Sequence, residues 1–353
     1  MAVRRVIGVL VAFVLVGACQ GGGRSSAPKT SSGLSDSALA SPACDGSGTG
    51  VAPGETTLTM TSGGMQRTYI RHVPPEYRFG TPIPLVIDFH GASEGAQVHV
   101  ANSALGRYGD GQGFVTITPQ GLGTGLDSYW DTAFHGRIDS VDVRFVGDLL
   151  DEAERTLCID ERRVFAAGYS NGAFLVSAIA CVYADRFAAV APVAGVRDYE
   201  GCPPSRAVPM VVFHGTADRW VAFDGGLGPD ALALPPDRSG RTIGEKAGFA
   251  KDEPPIPTVV AAWAERNRCP DQPSEHRVAS DVTLVRYRCP RGADVDFYRI
   301  EGGGHTWPGS EFSKQIEAAV GPTTFSISAD EVMWKFFRAH PLQTADRPTR
   351  RSS

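Results

Sequence analysis

Five short runs of almost uninterrupted apolar residues recur along the chain, at 84–89 (PLVIDF), 114–118 (FVTIT), 163–167 (RVFAA), 187–193 (FAAVAPV) and 208–213 (VPMVVF). A strand that alternates polar with apolar residues belongs to a sheet with one wet face, whereas a continuously apolar strand must be covered on both. Between these runs lie segments of helical period, clearest where Val141, Phe145, Leu149 and Leu150 share one face between Asp139 and Cys158. Buried strands separated by helices predict a mostly parallel sheet with helices on both faces, the α/β class.

The remaining pattern fits around that centre. Residues 57–62 and 67–73 read as two opening strands turned at Gly63-Gly64, and 282–288 and 294–300 as the last two strands. Residues 258–267 and 328–339 read as helices, and no internal repeat interrupts the order. With 353 residues, 42% of them hydrophobic and 21% charged, the chain has enough apolar surface for one such domain, set at 51–341. The stretch 224–257 is rich in Gly, Pro and charge and has no period. A segment of this length is functional or mobile; here it is expected to be a lid-like insertion or a solvated excursion.

Arg4 and Arg5 precede an apolar run at 6–16, short for a membrane span and suited to a secretory signal. Val16-Gly17-Ala18-Cys19 follows and resembles a bacterial lipobox. That resemblance implies a signal peptide over 1–18, acylation of Cys19 and a membrane anchor; an ordinary signal cut near Ala18 is the alternative. Residues 19–50 are dominated by Gly, Ser, Ala and Pro, as expected of a flexible tether, and 342–353 are expected to form a disordered tail. The expected location is outside the cytoplasm, on a bacterial cell surface or secreted. Six cysteines then remain: Cys44, Cys158, Cys181, Cys202, Cys269 and Cys289. An even number in an oxidising compartment predicts three disulfides. Local spacing favours Cys181 with Cys202 and Cys269 with Cys289, leaving Cys44 with Cys158, one of about fifteen possible pairings. The absence of CxxC and HExxH patterns leaves no metal site to expect, and no cofactor is called for. A net charge of −5 with no basic run beyond residue 5 excludes nucleic acid as a partner.

The strand at 163–167 runs into Gly168-Tyr169-Ser170-Asn171-Gly172 and then a helix. GxSxG between strand and helix is the context of a nucleophile elbow, where Ser occupies a strained turn and small residues two before and two after avoid a clash. A Ser hydroxyl needs a base, and the base an orienting carboxylate, in the chain order Ser, Asp, His. His214-Gly215-Thr216-Ala217-Asp218 closes a strand and makes Asp218 the candidate acid, ahead of Asp224 and Asp296. Gly302-Gly303-Gly304-His305 follows the last strand and makes His305 the candidate base, ahead of His276 and His340. Oxyanion donors are expected from the backbone N–H of Asn171 and from the loop His90-Gly91-Ala92-Ser93, with Ala92 preferred and Ser93 next. Trp307, Tyr169 and Trp130 are candidates for lining a substrate pocket, Trp307 being equally suited to the core. Asp142 reads as a surface or capping residue, though its helix leaves a bracing role open.

Taken in order, VIDFHGA, GYSNGA, VVFHGTAD and GGGHTWPG make residues 52–340 resemble the polyhydroxybutyrate-depolymerase-like esterases, a group related to feruloyl and acetylxylan esterases. The resemblance implies an α/β-hydrolase fold with Ser170, Asp218 and His305 as a triad. It also implies a serine esterase acting on feruloylated or acetylated polysaccharide or on hydroxyalkanoate oligomers. No separate polymer-binding module stands out, which favours small or soluble esters. A serine peptidase of the prolyl-oligopeptidase kind shares the fold and residue order and is one alternative; a non-catalytic surface binding protein is another. Acyl transfer to a sugar instead of water uses the same residues.

Overall fold

The computed structural model of the chain describes residues 39–343, apart from 47–49, 133–139, 200, 203–204, 238–239, 247, 250–252 and 271. The expected signal peptide, Cys19, most of the tether and nearly all of the tail lie outside the described residues. The apolar runs are strands whose successive side chains enter two different cores. From β3 (Ile83–Phe89), Leu85, Ile87 and Phe89 join one cluster and Val86 the other. From β7 (Met210–Gly215), Met210 and Val212 face one way and Val211 and Phe213 the other. Continuous apolarity is thus the mark of a sheet buried on both sides.

The remaining strands are β1 (Gly54–Ser62), β2 (Met65–Val73), β4 (Val115–Pro119), β5 (Ile159–Tyr169), β6 (Ala189–Val193), β8 (Ser274–Ala279), β9 (Val282–Tyr287) and β10 (Val295–Ile300). Together the strands form a ten-stranded sheet in the order β1-β2-β4-β3-β5-β6-β7-β10-β9-β8. From β4 to β10 all neighbours are parallel; β1, β2, β9 and β8 add antiparallel edges. The helices are α1 (Ala96–Ser103), α2 (Leu105–Gln112), α3 (Val141–Thr156), α4 (Asn171–Val182), α5 (Pro229–Leu232), α6 (Ile243–Lys246), α7 (Ile256–Arg266), α8 (Glu311–Gln315), α9 (Glu317–Val320) and α10 (Ala329–Ala339). Helices α3, α4 and α7 supply one core, with Phe145, Leu149, Leu175 and Trp263; α10 supplies the other with Met333, Trp334 and Phe337. This is an α/β-hydrolase fold. Its parallel strands all end at one edge, and the loops after β3, β5, β7 and β10 meet there.

Three features depart from the sequence pattern. β8 is exposed on both faces, so it has no apolar alternation to announce it. Helix α2 holds three glycines, and α1 buries His99, Asn102 and Ser103 while exposing Val98, the reverse of ordinary amphipathicity. The tether expected over 19–50 gives way by residue 39. Leu39 and Ser41 hydrogen-bond to the start of β5, and Ala43 is buried in a short 3-10 turn, Pro42–Asp45. Disulfides join Cys44 to Cys158, Cys181 to Cys202, and Cys269 to Cys289, the pairing that local spacing favoured.

The Cys44–Cys158 bond closes a loop of sequence separation 114. Cross-linking a long loop removes much of the entropy of the unfolded chain. Paired Cys44→Ser and Cys158→Ser substitutions are expected to lower stability by about 4 kcal/mol, read as a lower urea midpoint.

Candidate active site

Strand β5 ends at Tyr169 and α4 begins at Asn171, so one residue makes the turn. Ser170 adopts φ 54° and ψ −115°, a conformation few residues with a side chain accept. Packing enforces it. A Cβ on Gly168 would lie 2.6 Å from the Gly172 carbonyl oxygen, and one on Gly172 would overlap the carbonyls of Phe89 and His90. The helix can therefore start directly against the end of β3, leaving the Ser170 hydroxyl at its N-terminus.

The loop after β10 brings His305 to that hydroxyl. A Cβ on Gly215 would overlap Gly303, and one on Gly304 would overlap the Val320 carbonyl, so this backbone threads between two others. The His305 N–H donates to Val320 O (2.6 Å), and the Tyr169 hydroxyl donates to His305 O (2.6 Å). The ring then spans two partners: Nε2 lies 2.8 Å from Ser170 Oγ and Nδ1 2.7 Å from Asp218 Oδ2. Asp218 Oδ1 accepts the N–H groups of Trp220 (2.8 Å) and Val221 (2.9 Å). Burial works to raise the Asp218 carboxyl, but His305, His214 and the Trp220 N–H outweigh it and hold it below the usual range. A hydroxyl bonded to an imidazole that is backed by a buried carboxylate is equipped for nucleophilic acyl transfer.

Ala92 lines the cleft together with Ser170, and Asn171 follows Ser170 in the chain. Ser93 N–H is committed to Ser128 O at 2.7 Å, whereas the N–H groups of Ala92 and Asn171 have no acceptor among the described residues. The Asn171 side chain is occupied otherwise: Oδ1 takes Trp130 N–H at 2.6 Å, pinning the loop beside it. His90, at the base of the Ala92 loop, donates from Nδ1 to Gly91 O (2.7 Å) and accepts Gly121 N–H on Nε2 (2.9 Å), the pattern of a neutral ring. Burial pushes it down to about 4. His99 on α1 is the opposite case. It is buried between Asp88 (2.8 Å) and Glu94 (3.0 Å), and these two override the cost of burial and lift it to about 10.

Ser170 opens into a cleft of about 620 Å³ floored by Ala92, Tyr169 and His305 and walled by Val98, Leu126, Tyr129, Trp220, Phe312 and Ile316. The 224–257 insertion contributes Leu234, Pro235, Asp237, Arg241, Ile243 and Lys246 to it. Of the aromatic candidates, Tyr169 reaches the cleft, but Trp130 and Trp307 do not. Both are buried, Trp130 donating from its indole to His90 O (2.8 Å) and Trp307 to Asp330 (2.9 Å). They support the loops from below. The tryptophan that faces the cleft is Trp220, two residues after Asp218, flagged in the sequence only by its place in that loop. Asp142 is fully buried, paired with Arg67 (2.6 Å) and accepting Asp131 N–H (2.7 Å), so it braces the Trp130 loop. Asp296 is engaged by Arg286 at 2.7 Å on the antiparallel edge. Among the described residues no group of three or more His, Cys, Asp or Glu is placed to hold a metal ion.

A family model described as the prolyl oligopeptidase family matches residues 108–204, a stretch that includes Ser170 but neither Asp218 nor His305. The chain is 26% identical over 244 residues to feruloyl esterase B of Piromyces equi, covering 68% of this chain and 42% of that protein. It is 26% identical over 300 residues to the putative esterase NocK of Nocardia uniformis subsp. tsuyamanensis, covering 80% and 82%. It is 30% identical over 229 residues to the bifunctional acetylxylan esterase/xylanase XynS20E of Neocallimastix patriciarum, covering 63% and 29%. The chain thus spans less than half of the first and third of these relatives and most of the second. In sequence the chain is similar to feruloyl and acetylxylan esterases, and its architecture is that of an α/β-hydrolase.

Two outcomes follow for stability. Both Ser170→Gly and Ser170→Ala delete the hydroxyl, but only glycine relieves the positive φ. Ser170→Gly is expected to be the more stable of the two in urea by about 1 kcal/mol, against the usual preference for alanine. His99 holds its proton up to about pH 10 when folded, against an ordinary value of 6.5. Its contribution is therefore complete below pH 6.5 and lost as pH rises through 10. The melting temperature should fall across that window, and the fall should flatten in His99→Gln.

Proposed function

We propose that this chain is a serine esterase in which Ser170 is the nucleophile, His305 the general base and Asp218 the carboxylate that orients it. The observation that carries the reading is the unbroken line from Ser170 Oγ through the His305 ring to Asp218 Oδ2, at 2.8 and 2.7 Å. Ser170 attacks the ester carbonyl while His305 Nε2 takes the hydroxyl proton. The carbonyl oxygen becomes negative against the N–H groups of Ala92 and Asn171. His305 then protonates the departing alcohol, and water repeats the sequence to release the acid. Asp218 keeps Nδ1 protonated and offsets the charge on the ring.

The cleft favours an acyl group larger than acetyl. Its apolar walls and the rings of Tyr129 and Trp220 suit an aromatic acid, and an acetyl group would leave most of about 620 Å³ unfilled. Feruloyl esters of polysaccharide fragments are the leading class, in keeping with the named activity of feruloyl esterase B; hydroxyalkanoate oligomers come next. We assign the enzyme to the extracytoplasmic face of a bacterial membrane, anchored through Cys19, a reading supported by the apolar run ending at that cysteine and by three disulfides. In the same reading, the insertion serves as the specificity wall of the cleft.

A peptidase reading has one observation in its favour, the match of residues 108–204 to the prolyl oligopeptidase family. That stretch holds the elbow common to esterases and peptidases of this fold, so the competing chemistry is decided by substrate. With the chain from residue 20 onward, which omits the anchoring Cys19, p-nitrophenyl acetate and methyl ferulate are expected to turn over, with methyl ferulate the better by kcat/KM. Ser170→Ala should lose about 10³-fold or more. Equal rates in parent and variant would remove Ser170 from the mechanism, and faster cleavage of a prolyl p-nitroanilide than of either ester would favour the peptidase.

A further inference from the structure

Beside the loop that carries Ala92 lies a largely buried polar knot, reaching the cleft through Glu94 and Asn102, that takes no part in the line from Ser170 to Asp218. Its centre is Glu94. One carboxylate oxygen, Oε2, accepts the Gly91 N–H at 2.6 Å and faces His99 Nδ1 at 3.0 Å. The other, Oε1, accepts Asn102 Nδ2 at 2.9 Å. The knot extends both ways. His99 Nε2 meets Asp88 at the end of β3 (2.8 Å), and Ser103 donates to the other oxygen of Asp88 (2.6 Å). Asn102 Oδ1 accepts the Ser313 hydroxyl (2.8 Å), and Ser313 Oγ accepts the N–H of Trp307 (3.2 Å), two residues past His305. Three side chains in line, Glu94, Asn102 and Ser313, thus join the loop after β3 to the loop that presents the imidazole.

Charge in this place needs a reason. Burying an ionic group is costly unless its partners are well placed, and an apolar filling would stabilise a simple turn at least as well. What an apolar filling lacks is an acceptor for Gly91 N–H. The backbone there has little freedom, because a Cβ on Gly91 would sit 2.8 Å from the Tyr169 ring. Glu94 Oε2 fixes the His90–Gly91 peptide, and the Gly91–Ala92 peptide that follows is held by its own oxygen, which accepts His90 Nδ1 (2.7 Å) and the Glu94 N–H (3.3 Å), so the pair has a set orientation. Donors that stabilise a developing charge are effective in proportion to how little they must reorganise.

We infer that Glu94 is a positioning residue for the oxyanion hole: by accepting from Gly91, His99 and Asn102 at once, it aims the Ala92 N–H at the oxygen that becomes negative. The inference rests on the serine-esterase reading above. It assigns a catalytic consequence to a residue that touches neither the hydroxyl nor the imidazole.

Glu94→Gln keeps the shape but turns one acceptor into an NH2 donor, which must then oppose either Asn102 or the Gly91 and His99 pair. Folding is followed by near-ultraviolet circular dichroism. With methyl ferulate, kcat is expected to fall about 10²-fold while KM changes less than about threefold, since an oxyanion donor acts in the transition state. A trifluoromethyl ketone that forms a tetrahedral adduct should bind more weakly by a similar factor, with ferulate binding unchanged. Glu94→Asp keeps the charge but withdraws it from Gly91 by one methylene; it should show the same kcat loss if the Gln variant does not fold. A folded variant with the parent's kcat overturns the inference, as does a loss confined to KM or shared equally by ferulate and ketone. Activity of Ser170→Ala separates the two readings. If that variant is inert while the Glu94 variants turn over normally, the esterase stands and only this inference falls. If Ser170→Ala is as active as the parent, both fall.

Discussion

One backbone residue, Ser170, must turn a strand into a helix with its φ at 54°, and much of the domain serves to hold it there. No local preference of serine favours that conformation, so it persists only where surrounding packing leaves no other. β5 lies between β3 and β6 in the middle of the parallel sheet, and the Ser170 N–H is fixed to Val193 O at 2.8 Å. Helix α4 is buried along almost its whole length. Relaxing the turn would mean lifting that helix off two strands. The glycines on either side convert the constraint into proximity, since α4 can begin only where Gly172 passes under the ends of Phe89 and His90. The same contact brings the Ala92 loop beside the hydroxyl, so strain at one residue and the placing of two loops have one cause.

The buried histidines show how burial and neighbours together decide what a ring does. His90, His99 and His214 are all fully enclosed. His90 meets one carbonyl and one N–H and stays neutral. His214 donates to Val221 O at 3.0 Å and is held below the usual histidine value, by burial above all, although Asp218 lies 3.5 Å away. His99 meets a carboxyl on each nitrogen and is lifted to about 10. All three stand at the carboxyl ends of β3 and β7 or on the helix that follows. That edge is where a parallel sheet must finish its strands in polar loops and still exclude water.

Legibility followed the same division. The central strands were readable because both of their faces are buried, α3 because it is regularly amphipathic, and α4 because it follows the elbow at Ser170. Ser170 and His305 stood out as candidates by the glycines around them, and Asp218 by its place just past a strand. Where side chains meet across the sheet edge, single positions carried no signal. Trp307 suited pocket and core equally, and its indole is spent on Asp330 while Trp220 takes the open place. Helix α1 escaped notice because its inward face is His99, Asn102 and Ser103. A helix that buries polar residues looks from its sequence like a loop.

That inversion also explains why the substrate is harder to read than the chemistry. The groups of the proposed triad stand just past the ends of regular strands, whose patterns belong to the architecture and not to one substrate. Much of the cleft wall, including Leu126, Tyr129, Leu234, Arg241, Phe312 and Ile316, is contributed by loops and short helices that have no period of their own. They keep their places by contacts made far along the chain. Trp220 donates to Ala319 O at 2.8 Å, Arg241 to the Tyr129 hydroxyl at 2.9 Å, and Phe249 packs edge-on against Phe174 with ring centroids 5.1 Å apart. Specificity in this architecture is a property of such pairings, so two chains can share every residue around the hydroxyl and still differ in what they admit.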